Sequence, residues 1–362
     1  MTGELLNEFG WNDYWQAAWE SLSVPNGVPA RVTCEERGQY QAICLEGEIT
    51  AAVSGKMRNS ARSRADLPAV GDWVAVRLPD AGDHGLIEAV LPRTGAFVRK
   101  AAGARTEEQI VAANVDVVFL VMGLDHDYNV RRLERYLTLA WDSGATPVIV
   151  LNKADLCDDL ESYRSEIESV AFGVPVCVTS AADGAGLEEL RAHIGPGKTG
   201  GFVGSSGVGK STLINVLLGE ARQTVRAVRE DDSRGRHTTT RRELISLQGG
   251  GVLLDTPGMR ELQLWGDESG LQQTFQDIEE FAEQCRFNDC QHANEPGCAV
   301  RAAIQTGELD EGRFRSYLKL QREMRYLAMR QDEGARSVER KRWRQIHKDW
   351  RTRQKMEDKY RR

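Results

Sequence analysis

The rhythm of apolar and polar positions changes along the chain. Trp11, Trp15 and Trp19 recur every fourth residue with Tyr14 beside them. That spacing predicts one short helix in residues 1–29, with an aromatic face turned toward a core. From about Ala30 the text becomes short alternating runs (ARVTCEE, QYQAICLEGEITAAV, VGDWVAVRL, LIEAVL) parted by Gly, Pro and Asp. This predicts a small β-barrel of the OB type over residues 30–103. Its most basic stretch, Lys56 to Arg64, lacks apolar periodicity and reads as a surface loop, solvated or laid against nucleic acid.

Near Asn114 continuous apolar runs begin to alternate with helical stretches, the signature of a doubly wound α/β domain over residues 104–264. The expected strands are 115–122, 146–151, 174–179, 200–204 and 251–255. In such sheets ligands bind outside the carboxyl ends of the strands. After Leu264 the chain reads as helical and charged, with a Cys/His window, over 265–330. A long helix starts near Gly312 and passes into a basic tail, 331–362.

Composition narrows this picture. A chain of 362 residues exceeds one hydrophobic core, so several domains are expected. No run of eighteen apolar residues occurs, which argues against a membrane span. The N-terminus lacks a basic leader ahead of an apolar stretch, so the expected location is the cytoplasm. The net charge of −7 is uneven: residues 313–362 carry 18 Lys+Arg against 7 Asp+Glu. A basic arm on an acidic body suits a phosphate backbone, and a solvated charged helix equally.

Specific chemistry enters at Gly204, Ser205, Ser206, Gly207, Val208, Gly209, Lys210 and Ser211, which lie between an apolar strand and the helix-forming run beginning Ser211-Thr212. Strand, glycine-rich loop and helix are what a phosphate loop needs. Backbone N–H groups can turn around the phosphates, Lys210 adds charge, and the Ser211 hydroxyl can ligate Mg²⁺. The tetrad Asn152, Lys153, Ala154 and Asp155 then selects the base. Asp155 can accept from the guanine ring N–H and exocyclic amine, Asn152 can face N7 and O6, and the Lys153 stem can lie along the ring. Adenine offers no matching donors and would leave the carboxylate unpaired. Ser180 and Ala181 stand where a backbone N–H could reach guanine O6.

Asp255 closes an apolar strand as a Walker-B carboxylate does, and the Gly258 N–H can meet the γ-phosphate. Thr239, in the run RGRHTTTRREL, is the expected second Mg²⁺ ligand and switch threonine. Met259 follows Gly258 and cannot polarise water. His237 is therefore the candidate for orienting it, with slow intrinsic turnover that a partner accelerates. The base tetrad precedes the phosphate loop, the reverse of the common order. The same sheet can form, because permutation moves termini without changing contacts.

Four cysteines (Cys34, Cys44, Cys157, Cys177) are scattered singly and read as reduced thiols. Cys285, Cys290, His292 and Cys298 form C-x4-C-x-H-x5-C, three thiolates and an imidazole suited to one closed, structural Zn²⁺ site.

The permuted NKAD, GSSGVGKS, GRHTTT and DTPG order followed by that Cys/His window resembles the bacterial ribosome small-subunit-dependent GTPase A family over nearly the whole chain. The resemblance implies an N-terminal OB-fold, a central permuted GTPase domain and a C-terminal zinc domain. It further implies GTP hydrolysis to GDP in late maturation of the small ribosomal subunit, stimulated by that subunit, with a histidine at His237 assisting. The expected partners are the small subunit, its rRNA and other assembly factors, met by a monomer. The aromatic N-terminal helix departs from the short basic leader of some members. A nucleotide-gated RNA-binding protein is the rival reading, and a small-molecule kinase is disfavoured by NKAD.

Overall fold

The computed structural model describes residues 4–36, 38–78, 84–100, 108–125, 127–219, 242–255 and 268–329. His237, Thr239, Gly258 and the tail 331–362 lie outside the described residues.

The N-terminus holds two helices, α1 (Glu4–Glu8) and α2 (Asp13–Glu20), where the tryptophan spacing predicts one. Gly10 and Asn12 make the break. Left-handed Gly10 closes α1, and the Asn12 side chain accepts from the amides of Tyr14 and Trp15 to start α2. The aromatic face does turn inward. Trp11 and Trp15 pack on the fully buried Trp73, with ring centroids 4.8 and 6.1 Å away.

Trp73 begins a strand of the barrel. β1 (Gly27–Glu36), β2 (Gln39–Cys44) and β3 (Gly47–Val53) form an antiparallel meander. α3 (Gly55–Ser60) then leads to β4 (Trp73–Arg77) and β5 (His84–Val90). β3 pairs β5, β5 pairs β4, and β4 returns to β1, so the ring closes and the OB-like barrel is present. The basic stretch is more ordered than its lack of periodicity suggests. Ser54 caps α3 through the Met57 amide, and Ser63 caps a 3₁₀ turn at Arg64–Asp66. Local caps of this kind leave no hydrophobic rhythm. β6 (Ala96–Lys100) and β7 (Glu108–Ala113) make a separate two-stranded ribbon.

The α/β region has the expected parallel strands: β8 (Val117–Gly123), α4 (Val130–Asp142), β9 (Thr146–Asn152), α5 (Leu160–Glu168), β10 (Val176–Val178), α6 (Leu187–Ala192), β11 (Thr199–Gly204) and α7 (Lys210–Leu218). One strand was not expected. β12 (Glu243–Ser246) runs antiparallel to β13 (Val252–Asp255), and the sheet order is β10-β9-β8-β11-β13-β12. β12 also meets β1 at Cys34–Glu243, so barrel and α/β sheet are hydrogen-bonded into one eleven-stranded sheet.

Helices α8 (Ser269–Thr274), α9 (Gln276–Glu283), α10 (Ala299–Thr306) and α11 (residues 311–329) follow. They dock on α4 through charge as well as apolar contact. Arg313 is 3% exposed and spans Glu134 at 3.1 Å and Asp277 at 2.7 Å. It also donates to the carbonyls of Val170 and Thr274. Arg135 forms a bidentate pair with Glu323 at 2.6 and 2.7 Å. At the opposite junction the buried Arg31 donates to the carbonyls of Phe9, Gly71 and Asn114, tying N-terminus, barrel and α/β region together. Burial lowers its pKa to about 10, opposed by the charges of Asp116 and Asp72.

Candidate nucleotide site and Cys3His centre

The near-continuous apolar runs of β8, β9 and β11 are buried on both faces, so these strands stack side by side and deliver their polar ends to one edge. β9 ends at Asn152, directly opposite Gly123 at the end of β8. β11 ends at Gly204, opposite Val121. Permutation therefore leaves the base tetrad and the phosphate loop neighbours, with only β8 between their strands.

They also touch. Asn152, 1% exposed, donates from Nδ2 to the Val208 carbonyl in the phosphate loop at 2.8 Å. Its Oδ1 accepts from the Thr179 hydroxyl at 3.1 Å and from the Ala181 N–H at 3.3 Å. Asn152 thus fastens three loops together, and the Ala181 N–H points at this side chain. The close approach fixes the residue at 209, where φ is +98° and a Cβ would fall 2.2 Å from Asn152 Nδ2.

The other members of the tetrad are placed as follows. Lys153 adopts the left-handed conformation, φ 65°, and its Nζ meets Asp125 Oδ2 at 2.6 Å. Ala154 follows with its N–H on the Thr179 carbonyl. Asp155 is exposed, with one carboxylate oxygen held by the Ser180 hydroxyl at 2.7 Å. In the phosphate loop Ser205, Ser206, Gly207 and Val208 make the turn, and Lys210 opens α7. Its Nζ reaches back to the carbonyls of Gly204 and Ser205. Ser211 and Thr212 follow in the first turn, the end of a helix that favours anions. Asp255 closes β13 and pairs in register with Glu243.

Two functional-looking residues escaped the sequence reading, Asp125 and Asp127, in the loop after β8. Burial raises the Asp127 carboxyl, against the pull of Arg132, of Ser205 and of Lys210. Burial also opposes ionisation of Asp125, but the Lys153 ammonium and the Asp127 amide outweigh it and hold that carboxyl low. Their signal was positional: two acids just beyond a buried strand at the ligand-binding edge.

The second cluster lies between α9 and α10. Cys285 follows α9, Cys298 caps α10, and Cys290 and His292 come from the loop. Sγ of Cys285 and Cys298 are 3.9 Å apart and lie 3.6 and 3.4 Å from His292 Nδ1; all four ligand atoms fall within 4.8 Å of one another. Tetrahedral Zn²⁺, with Zn–S near ~2.3 Å and Zn–N near ~2.0 Å, requires ligand separations of roughly 3.5–3.8 Å. The separations among Cys285, His292 and Cys298 lie within about 0.1 Å of that range. Burial depresses the His292 pKa against the charges of Glu295 and Glu279, which favours the neutral imidazole that metal ligation needs.

A base tetrad bonded to a phosphate loop that follows it in sequence, on a parallel sheet, defines a circularly permuted P-loop GTPase. Comparison with known proteins agrees. The RsgA GTPase family profile matches residues 90–265. The chain is 47% identical over 364 residues to the small ribosomal subunit biogenesis GTPase RsgA of Opitutus terrae, covering 98% of this chain and 99% of that protein. It is 50% identical over 318 residues to RsgA 1 of Oceanobacillus iheyensis, covering 88% and 91%. The crystal structure of YjeQ from Thermotoga maritima aligns with TM-score 0.61 at 31% identity, covering 81% of this chain and 97% of that one. The chain belongs to the RsgA GTPase family and is a GTP hydrolase.

Proposed function

We propose that this chain binds the small ribosomal subunit and hydrolyses GTP there during late subunit maturation. The names of its relatives support the setting. The single observation that supports the nucleotide chemistry is the Asn152–Val208 hydrogen bond, which makes one pocket of the guanine-selecting and phosphate-holding loops. Asp155 selects guanine, with Asn152 and Ala181 bracing the pocket wall beside it. Lys210 and the loop amides from Gly204 to Ser211 hold the phosphates. Ser211, Thr239 and Asp255 would hold Mg²⁺, which would supply positive charge against the phosphates. Gly258 senses the γ-phosphate and His237 orients the attacking water. Domains divide near residues 29, 103, 264 and 330. The barrel's Lys56–Arg64 segment and the basic tail contact rRNA. Among the described residues no helix is long and apolar enough to cross a membrane, which is compatible with a cytoplasmic monomer.

Turnover of GTP with and without purified small subunits tests this reading. Stimulation of at least tenfold, roughly 1.4 kcal/mol of barrier, is expected. In the His237→Ala variant the stimulated rate falls by about 10²-fold, the usual reach of a positioned acid-base group, while GDP affinity holds. A wild-type rate indifferent to subunits favours the nucleotide-gated binding protein instead, and an unchanged stimulated rate in the variant removes His237 from the mechanism.

The Cys3His centre holds one structural Zn²⁺ that substitutes for apolar core in a small helical region. Metal analysis of the purified chain is expected to find one zinc per chain, and none in the Cys285→Ser, Cys298→Ser double variant. Chelation lowers the melting temperature of wild type only. Equal zinc content in both proteins would remove these residues from the site.

A further inference from the structure

The ion pair between Asp125 and Lys153 ties the loop after β8 to the base tetrad. The Lys153 and Asp125 side chains are 25% and 27% exposed, so the pair is partly buried and the hydration it gives up offsets much of its mutual attraction. The protein nevertheless fits them closely. Asp125 uses both carboxylate oxygens: Oδ1 accepts the Asp127 N–H at 3.0 Å, which fixes the turn after β8, and Oδ2 accepts from Lys153 Nζ at 2.6 Å. Room for the inward carboxylate depends on Gly123. A Cβ there would fall 2.7 Å from Asp125 Oδ1 and 3.2 Å from its Cγ. Gly123 is the register partner of Asn152, so the strand ends that carry acid and lysine are aligned side by side. On the lysine side, a left-handed non-glycine residue turns the stem toward the acid.

We propose that Asp125 is a positioning residue for the guanine base, acting by holding the Lys153 side chain as a preformed shelf. A free lysine loses rotamer entropy when a ligand orders it, and the carboxylate has already imposed that order. Guanine then docks against a fixed stem while Asp155 reads its edge. This inference rests on the assignment of residues 152–155 to the base. It predicts a base-end signature: GTP and GDP weaken alike, and the chemical step is untouched.

The experiment measures the Kd of GTP and GDP for full-length wild type, Asp125→Asn, Lys153→Met and the double variant, together with KM and kcat. Asp125→Asn is isosteric and keeps the turn-forming acceptor. Its Kd for both nucleotides is expected to rise about five- to tenfold, the scale of ordering one rotamer-rich side chain, with KM following and kcat within twofold. In the Lys153→Met background the same change has no further effect, because its target is gone. Gly123→Ala, which displaces the carboxylate sterically, reproduces the Asp125→Asn loss and does not add to it. Losses that add fully across the Asp125/Lys153 cycle, or a Kd unchanged in Asp125→Asn, overturn the proposal. If wild type itself binds GTP no better than ATP, the base-site assignment fails first.

Discussion

Asp155→Asn is expected to exchange guanine for xanthine as the preferred base. The aspartate faces solvent with one oxygen steadied by the Ser180 hydroxyl, leaving acceptor capacity for the guanine N–H and amine. Hydrogen bonds to a charged acceptor contribute ~1.5–3 kcal/mol each, and losing one of two while gaining a repulsive amine–amine contact weakens GTP by about a hundredfold or more. An asparagine keeps one acceptor and presents an amine to the 2-carbonyl of xanthine, so XTP binding rises as GTP binding falls. Competition of both nucleotides against a fluorescent GDP analogue measures the exchange. GTP affinity within threefold of wild type would mean that another residue reads the base.

The second large effect concerns stability. Arg313→Met removes a buried guanidinium from between Glu134, which is 0% exposed, and Asp277. Arg131 still bonds Glu134 at 2.6 Å, yet one buried carboxylate charge loses its inner partner, a defect typically costing ~3–5 kcal/mol. Thermal unfolding followed by circular dichroism should show a melting temperature lower by roughly 5–10 °C. The deficit also depends on pH. Burial raises the Glu134 carboxyl even with the Ser316 hydroxyl, Arg131 and Arg313 beside it, and removing Arg313 raises it further. A folded-state carboxyl above its unfolded value of 4.5 makes the native state take up protons first, so lowering the pH stabilises it. The gap between variant and wild type therefore narrows from pH 8 toward pH 5. A gap that widens on acidification would show that Glu134 is not the stranded charge.

Much of this architecture could be read from the chain because its signals are local. An apolar strand, a glycine turn and a helix start occupy a dozen consecutive residues around Lys210, and the barrel's alternation is likewise short-range. What escaped is set by contacts distant in sequence. β12 hides in a polar run because it lies at the margin of the α/β sheet, where β1, two hundred residues earlier, reaches it. Asn152 reads as a base contact in isolation, and its bond to Val208 exists only once β8 and β11 pair. Arg313 was one more charge in a basic segment, since its partners come from α4 and α9. Asp125 belongs to no familiar motif at all. The Cys/His cluster was legible by contrast because its four residues sit within fourteen positions.

Glu243 lies in register with Asp255 at the end of β13 on one flank and with Cys34 of the barrel on the other. The barrel thus caps a strand margin that would otherwise offer bare amides and carbonyls to other chains. It follows that the α/β region is not a detachable cassette: excised, it would carry a sticky rim, and grafted onto a foreign barrel it would need a strand of matching register. Two nominal modules share one backbone seam.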